Sequence, residues 1–224
     1  MKLEKFRAIV LQSTPFQEKS KIIKIFSKEL GIISVIVKNI SQKNSFLNVI
    51  TSVFSEIEII CKKTNSDLFI YKEASLINDF LFLRDNLSNL TSACDMAKAI
   101  LKTQFFQKKA TPLYDLFISY LKKVKDFENP KILSNSFCLK VLIFEKMLFP
   151  SLNCNFCKEV EATHIFNGES FCKNHAPKYS FSFTREEYLK IMILLSSKKF
   201  SELQQIELSE KLSSNLGHLF QDFF

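Results

Sequence analysis

Val53-Phe-Ser-Glu-Ile-Glu-Ile-Ile-Cys61 places Val53, Ser55, Ile57, Ile59 and Cys61 on one side of an extended chain, with Glu56 and Glu58 on the other. That two-residue period belongs to a strand with one apolar and one polar face. The same rhythm recurs on either side of it, in Phe6 to Leu11, Ser20 to Ser27, Ile32 to Lys38 and Asp67 to Ala74. Thr14-Pro15, Glu29-Leu-Gly31, the polar Ser41-Gln-Lys-Asn-Ser45 and Thr64-Asn-Ser66 separate these segments as turns. Five short strands in so small a domain predict a barrel, and an OB-fold, an SH3-like barrel or a ribosomal-type barrel would each fit the pattern.

From about residue 80 the apolar period lengthens to that of helices. Leu87, Leu90, Cys94, Ala97, Leu101 and Phe105 form one stripe behind a Ser88 cap, and Leu113, Leu116, Phe117, Tyr120, Leu121 and Val124 form a second after Pro112. A third carries Phe137, Val141, Phe144 and Leu148 and is stopped by Pro150. Thr184-Arg-Glu-Glu187 is a capping box opening a further helix, and Leu212, Leu216, Leu219 and Phe223 mark the last. The expected fold is α+β, with an N-terminal five-stranded OB-like barrel over residues 1–79 and a helical domain over 80–224.

Inside the helical part, Cys154-Asn-Phe-Cys157 and Cys172-Lys-Asn-His175 repeat one ligand spacing. Three thiolates and an imidazole suit tetrahedral Zn²⁺. Between the pairs, Ala162 to Phe166, Asn167-Gly168 and Glu169 to Phe171 read as a hairpin that folds one pair onto the other, a zinc ribbon over residues 150–180. His164 is the rival fourth ligand, but it lies on the hairpin strand without the two-residue offset, so His175 is preferred. Four protein ligands leave no open position for an activated water, which makes the zinc structural. Zinc nucleobase deaminases require His-x-Glu, and no histidine here has glutamate two residues on.

The 224 residues are 46% hydrophobic, enough for a true core, and the formal net charge is +8. That excess suits a polyanionic partner. Arg7, Arg84 and Arg185 are the only arginines, so lysines carry it, which favours diffuse phosphate contact over bidentate reading of guanine. Lys19, Lys21, Lys24 and Lys28, then Lys38 and Lys43, fall on consecutive strands and their loop, beside Phe16, Phe26 and Phe46. Lys19, Lys21, Lys24, Lys38 and Lys43 are the candidate DNA contacts.

With three glycines in the chain, phosphate-binding and nucleophile-elbow glycine motifs are absent, and no small-molecule substrate or catalytic residue is expected. Cys61, Cys94 and Cys138 stand alone in apolar surroundings as reduced core residues. No run reaches the roughly 18 apolar residues of a membrane span, and the N-terminus lacks a secretory pattern. The expected compartment is the cytoplasm. Composition and ribbon alone would also accommodate a transcription or translation factor, or a protein-interaction scaffold.

Ala8-Ile-Val-Leu11, Glu18-Lys-Ser-Lys-Ile-Ile23 and Phe26-Ser-Lys-Glu-Leu-Gly31, then Val37-Lys38 followed by Ser41 and Ser45, resemble the opening of RecO, a family of bacterial recombination mediators. Phe137-Cys-Leu-Lys-Val-Leu-Ile-Phe-Glu-Lys-Met-Leu-Phe-Pro150, running into Cys154 and Cys157, is similar to the helix leading into that family's first metal pair. The resemblance implies a non-enzymatic protein of DNA repair and recombination, associated with the nucleoid. It would bind single- and double-stranded DNA, anneal complementary strands and, with RecR, help load the recombinase onto strands covered by single-stranded-DNA-binding protein, whose acidic C-terminal tail it would contact. Three departures stand out: Asn39 replaces the usual glycine after the lysine, the glycine near the end of the third helix is missing, and His175 stands where cysteine is commoner.

Overall fold

Each alternating segment becomes a strand of the structure, a computed structural model that describes residues 3–41, 45–64, 67–106 and 108–224. The strands are β1 (Leu3–Pro15), β2 (Ser20–Ser27), β3 (Gly31–Lys38), β4 (Glu56–Lys63) and β5 (Leu68–Asn78). They close into a barrel in the order β1-β2-β3-β5-β4. The pairings are antiparallel except where Ser34–Ile36 run parallel to Leu68–Ile70. Closure leaves no long unpaired edge. The short helix α1 (Ser45–Ile50), lying between β3 and β4 in the chain, adds Leu47 and Ile50 to a core built from Phe6, Val10, Ile23, Ile25, Ile33, Val35, Ile57, Ile59, Cys61 and Phe69. This is the five-stranded arrangement of an OB barrel.

β4 differs from expectation at both its start and its polar face. Residues 53–55 turn instead of extending, because Phe54 adopts a left-handed φ of 72° and its N–H donates to the Val10 carbonyl at 2.8 Å. Glu58 faces outward in an ion pair with Lys5. Glu56, however, is completely buried. Helix α3 (Thr111–Lys123) covers it: Tyr114 Oη donates to Glu56 Oε1 at 3.1 Å and Arg7 Nε donates to the same oxygen at 2.8 Å. Burial works against the Arg7 charge, but the hydrogen bond and charge of Glu56 outweigh it and raise the pKa. Lys28 pairs with Asp115 at 2.8 Å, Thr111 Oγ1 donates to the Lys28 carbonyl, and Phe26 packs on Tyr114 with ring centroids 5.7 Å apart.

These contacts explain why the chain does not divide at 79/80 into two contiguous domains. One unit comprises Met1–Asp85 with Thr103–Lys122, and the other Asn86–Lys102 with Lys123–Phe224. The segment 103–122 belongs with the barrel because its polar and aromatic side chains complete the barrel's outer face.

The second unit holds α2 (Leu87–Thr103), α4 (Lys131–Phe144), α5 (Arg185–Ser196), α6 (Phe200–Gln204), α7 (Glu210–Gln221) and a three-stranded ribbon. α2 is rotated from the expected stripe: Ala93, Met96, Ala97 and Ile100 are buried, whereas Leu87 and Phe105 are exposed. Its cap is Asn86, whose side-chain oxygen accepts from the Ser88 N–H at 2.7 Å, so Ser88 lies in the first turn. The capping box of α5 forms as expected, with Thr184 and Glu187 bonding reciprocally. Among the described residues no helix is long and apolar enough to cross a membrane.

α4 stops before the expected Leu148. Met147 N–H donates to the Leu142 carbonyl at 2.8 Å and Lys146 N–H to the Ile143 carbonyl at 3.0 Å, a Schellman stop with Lys146 at φ 57°. Asn39, which stands where the resemblance expects a glycine after the lysine, likewise sits at φ 61°. Both keep the left-handed geometry without glycine, and a side chain there costs about 1–2 kcal/mol. Because Lys146 is exposed, Lys146→Gly should stabilise the protein by about 1 kcal/mol, raising the melting temperature by about 2–4 °C. A melting temperature that falls would contradict this geometry.

Candidate metal centre and candidate nucleic-acid face

The ribbon consists of β6 (His164–Phe166), β7 (Glu169–Phe171) and β8 (Phe181–Ser182). Phe166 pairs with Glu169 across Asn167-Gly168, whose φ values of 46° and 79° are those of a tight two-residue hairpin turn. Tyr188 of α5 anchors the sheet, donating to Ser170 Oγ at 2.7 Å, with the Ser151 carbonyl at 2.8 Å. The hairpin thereby carries Cys172 toward Cys154, whose own loop is tied down by Cys154 N–H to the Val160 carbonyl and Asn155 N–H to the Ser170 carbonyl.

The ligand atoms of Cys154, Cys157, Cys172 and His175 all lie within 4.8 Å of one another. His175 Nδ1 is 3.2 Å from Cys172 Sγ and 3.8 Å from Cys154 Sγ. A tetrahedral ion with metal–sulfur bonds of about 2.3 Å sets its ligands roughly 3.8 Å apart, so this donor set fits a metal ion. In the first knuckle the Lys158 N–H donates to the Cys154 carbonyl, with Lys158 in the left-handed region at φ 64°. In the second, His175 N–H donates to the Cys172 carbonyl.

The electrostatics of the site favour thiolate at one sulfur. Burial pushes the Cys154 thiol up, but the backbone amides of Cys172, Cys157 and Phe156, together with the His175 side chain, hold it down at about 6. Cys154 is therefore the anion at neutral pH, the form in which cysteine binds metal. Cys172 shifts upward through burial and through its proximity to Cys154. His164 points elsewhere, with Nδ1 2.9 Å from Oγ1 of the preceding Thr163, and does not belong to the cluster. A feature the spacing did not reveal is the Phe156 ring, packed on His175 with centroids 4.5 Å apart.

The candidate DNA lysines do not all share one face. Lys24 is exposed on the outer side of β2, opposite Ser34 of β3, and Lys38 is exposed at the end of β3 opposite Ser20. Lys19 lies exposed in the turn before β2. Lys21 has the inward parity of Ile23 and Ile25, and its Nζ donates to Thr51 Oγ1 at 3.3 Å, beside the end of α1. Lys43 lies outside the described residues. Of the aromatic neighbours, Phe16 and Phe46 are exposed, while Phe26 is buried beneath Tyr114. Inward parity at β2 would have separated Lys21 from Lys24 in the sequence; the cover over Phe26 had no local signal.

A family model, recombination protein O N terminal, matches residues 1–80. DNA repair protein RecO of Chlamydia muridarum is 30% identical over 224 residues, covering 96% of this chain and 93% of that protein. RecO of Chlamydia trachomatis serovar D is 29% identical, covering 96% of this chain and 90% of that protein. RecO of Caldicellulosiruptor bescii is 23% identical, with 96% and 89% covered. With its barrel, following helices and Cys/His cluster arranged as described, the chain belongs to the RecO family of DNA repair proteins.

Proposed function

We propose that this protein binds single- and double-stranded DNA through its barrel, anneals complementary strands and, together with RecR, helps load the recombinase onto strands covered by single-stranded-DNA-binding protein. The observation that carries the reading is the closed OB barrel presenting Lys19, Lys24 and Lys38 to solvent along the β2–β3 hairpin. Lysines placed along adjacent strands neutralise phosphate charge without reading sequence, so two complementary strands meet with less repulsion. No catalytic step is required of the protein, which works at the nucleoid in the cytoplasm. Cys154, Cys157, Cys172 and His175 hold a structural zinc, since three soft sulfurs with one imidazole suit that ion.

The acidic tail of the single-stranded-DNA-binding protein suits a cavity of about 390 Å³ among α2, α4 and α7. Lys98, Lys102 and Lys131 line it together with Asp95 and Glu210, Lys98 being ion-paired with Asp95 at 3.5 Å, so Lys102 and Lys131 are the cations offered to carboxylates; Cys138, Leu216 and Phe220 supply apolar surface.

The test is binding and annealing of two unrelated pairs of complementary strands across a salt series, with and without Lys24→Glu/Lys38→Glu. The parent should bind both sequences alike, with a steep salt dependence. The double variant should lower the slope of log K against log salt by about 1.4, since each phosphate contact with a single strand contributes about 0.7. An unchanged slope would move the DNA contact away from the β2–β3 face.

A further inference from the structure

The metal ribbon carries two of the most exposed aromatic side chains among the described residues. Phe156, between the first two cysteines, is 73% exposed, and Tyr179, just beyond the second pair, is 81% exposed. Neither ring contributes to the core. Phe156 is held in place from behind by the His175 ring. Tyr179 follows His175 by four residues, which limits their Cα separation to about 14 Å. Phe156 is thus packed on the second knuckle, and Tyr179 is tethered close to it along the chain.

Lys158, Lys173 and Lys178 lie close in sequence to the two rings, and all three are exposed. The ribbon's carboxylates are Glu159, directly after Lys158, Glu169, and Glu161, which is ion-paired with Arg185 at 2.6 Å. Lys178 Nζ stands 5.7 Å from the centroid of the Tyr179 ring. Flat apolar rings flanked by ammonium groups match a strand that offers base faces alternating with phosphates. An acidic peptide would use the lysines but not the flat faces, and an apolar partner would use the rings but leave the lysines unpaired.

We infer that the metal ribbon is a second contact for single-stranded nucleic acid, with Phe156 and Tyr179 stacking on bases and Lys158, Lys173 and Lys178 contacting phosphates. This rests on the reading of the chain as a DNA-binding protein, and it adds a site on the second unit to the one on the barrel. The ligand set's part is indirect: it brings the two knuckles together and with them the Phe156 ring that packs on His175.

The chain has no tryptophan, so Phe156→Trp and Tyr179→Trp each introduce a single indole reporter at the proposed contact. Each variant is titrated with oligothymidylate of about 30 nucleotides, roughly twice what one OB barrel occupies. Total binding is followed in parallel by anisotropy of labelled DNA. The expected result is quenching of the indole emission with the same midpoint as the anisotropy. Phe156→Ala/Tyr179→Ala should bind about tenfold more weakly, with bound metal unchanged. Tyr179→Ala alone serves where removing Phe156 disturbs His175, and it should still weaken binding severalfold. Normal anisotropy with unchanged emission, and affinity within twofold in the alanine variants, would overturn the ribbon contact while leaving the barrel's role intact. No anisotropy change for the parent at low salt would remove both. Emission that shifts with protein concentration alone would assign this face to a second copy of the chain and so overturn the inference.

Discussion

Cys154→Ser is expected to abolish stoichiometric metal binding and to lower the melting temperature by about 8 °C or more, at about 2–4 °C per kcal/mol for a chain of this size. In small zinc domains the apparent binding energy is about 10–16 kcal/mol at neutral pH, and much of it is folding energy. Here the loss is smaller because the ribbon has other anchors, the hairpin pairing and the Tyr188 hydrogen bonds to Ser151 and Ser170. Cys154 is nevertheless the worst ligand to lose. It is fully buried, its thiol is the one held down at about 6, and its backbone joins the first knuckle to the Val160 carbonyl. Metal analysis of the purified variant and calorimetry, beside a chelator-treated parent, measure both effects. His164→Ala is the control and should keep its metal. One full equivalent of zinc in Cys154→Ser, with unchanged melting, would refute the assignment of the site.

Gly31→Ala should cost about 3 kcal/mol or more, through two separate penalties. Gly31 opens β3 at φ +74°, where a side chain is strained, and an added Cβ would stand 2.1 Å from the Lys108 carbonyl oxygen. That carbonyl belongs to the backbone that bridges from Phe106 to Ile32 and leads into α3. Relieving the clash therefore moves the segment that positions Tyr114 over Glu56. The variant should lose cooperativity in the barrel unit as well as stability. Gly217→Ala in α7 is the contrasting case: its Cβ meets nothing within 4 Å, and the change should stabilise by about 0.5–1 kcal/mol. Denaturant unfolding of the two variants beside the parent decides it, and a Gly31→Ala midpoint equal to the parent's would show that the strand start is not so confined.

What could be read from the sequence was what local spacing controls. The inward set Ile57, Ile59 and Cys61 follows from strand parity, and the Thr184 to Glu187 cap follows from four consecutive residues. The cluster of Cys154, Cys157, Cys172 and His175 follows from two paired spacings and an Asn-Gly turn. What could not be read was what one element does to another. Glu56 has the parity of a solvent-facing residue and is buried only because α3 lies over it. Phe26 disappears for the same reason. α2 buries Ala93, Met96, Ala97 and Ile100, mostly small residues, so a stripe drawn through its leucines gave the wrong rotation. Lys146 stops α4 in a conformation usually left to glycine, which no propensity would have placed there.

The return of residues 103–122 to the barrel sets an order of events during synthesis. Glu56 leaves the ribosome 58 residues ahead of Tyr114, an interval of roughly 3–12 s at 5–20 residues per second. All five strands are available to pair only once Asn78 has followed, and for the 36 residues from there to Tyr114, roughly 2–7 s, a carboxylate and the Phe26 ring face water on the unfinished barrel. A nascent chain of that length is the species a chaperone would meet, and slowing translation beyond β5 would lengthen its exposure.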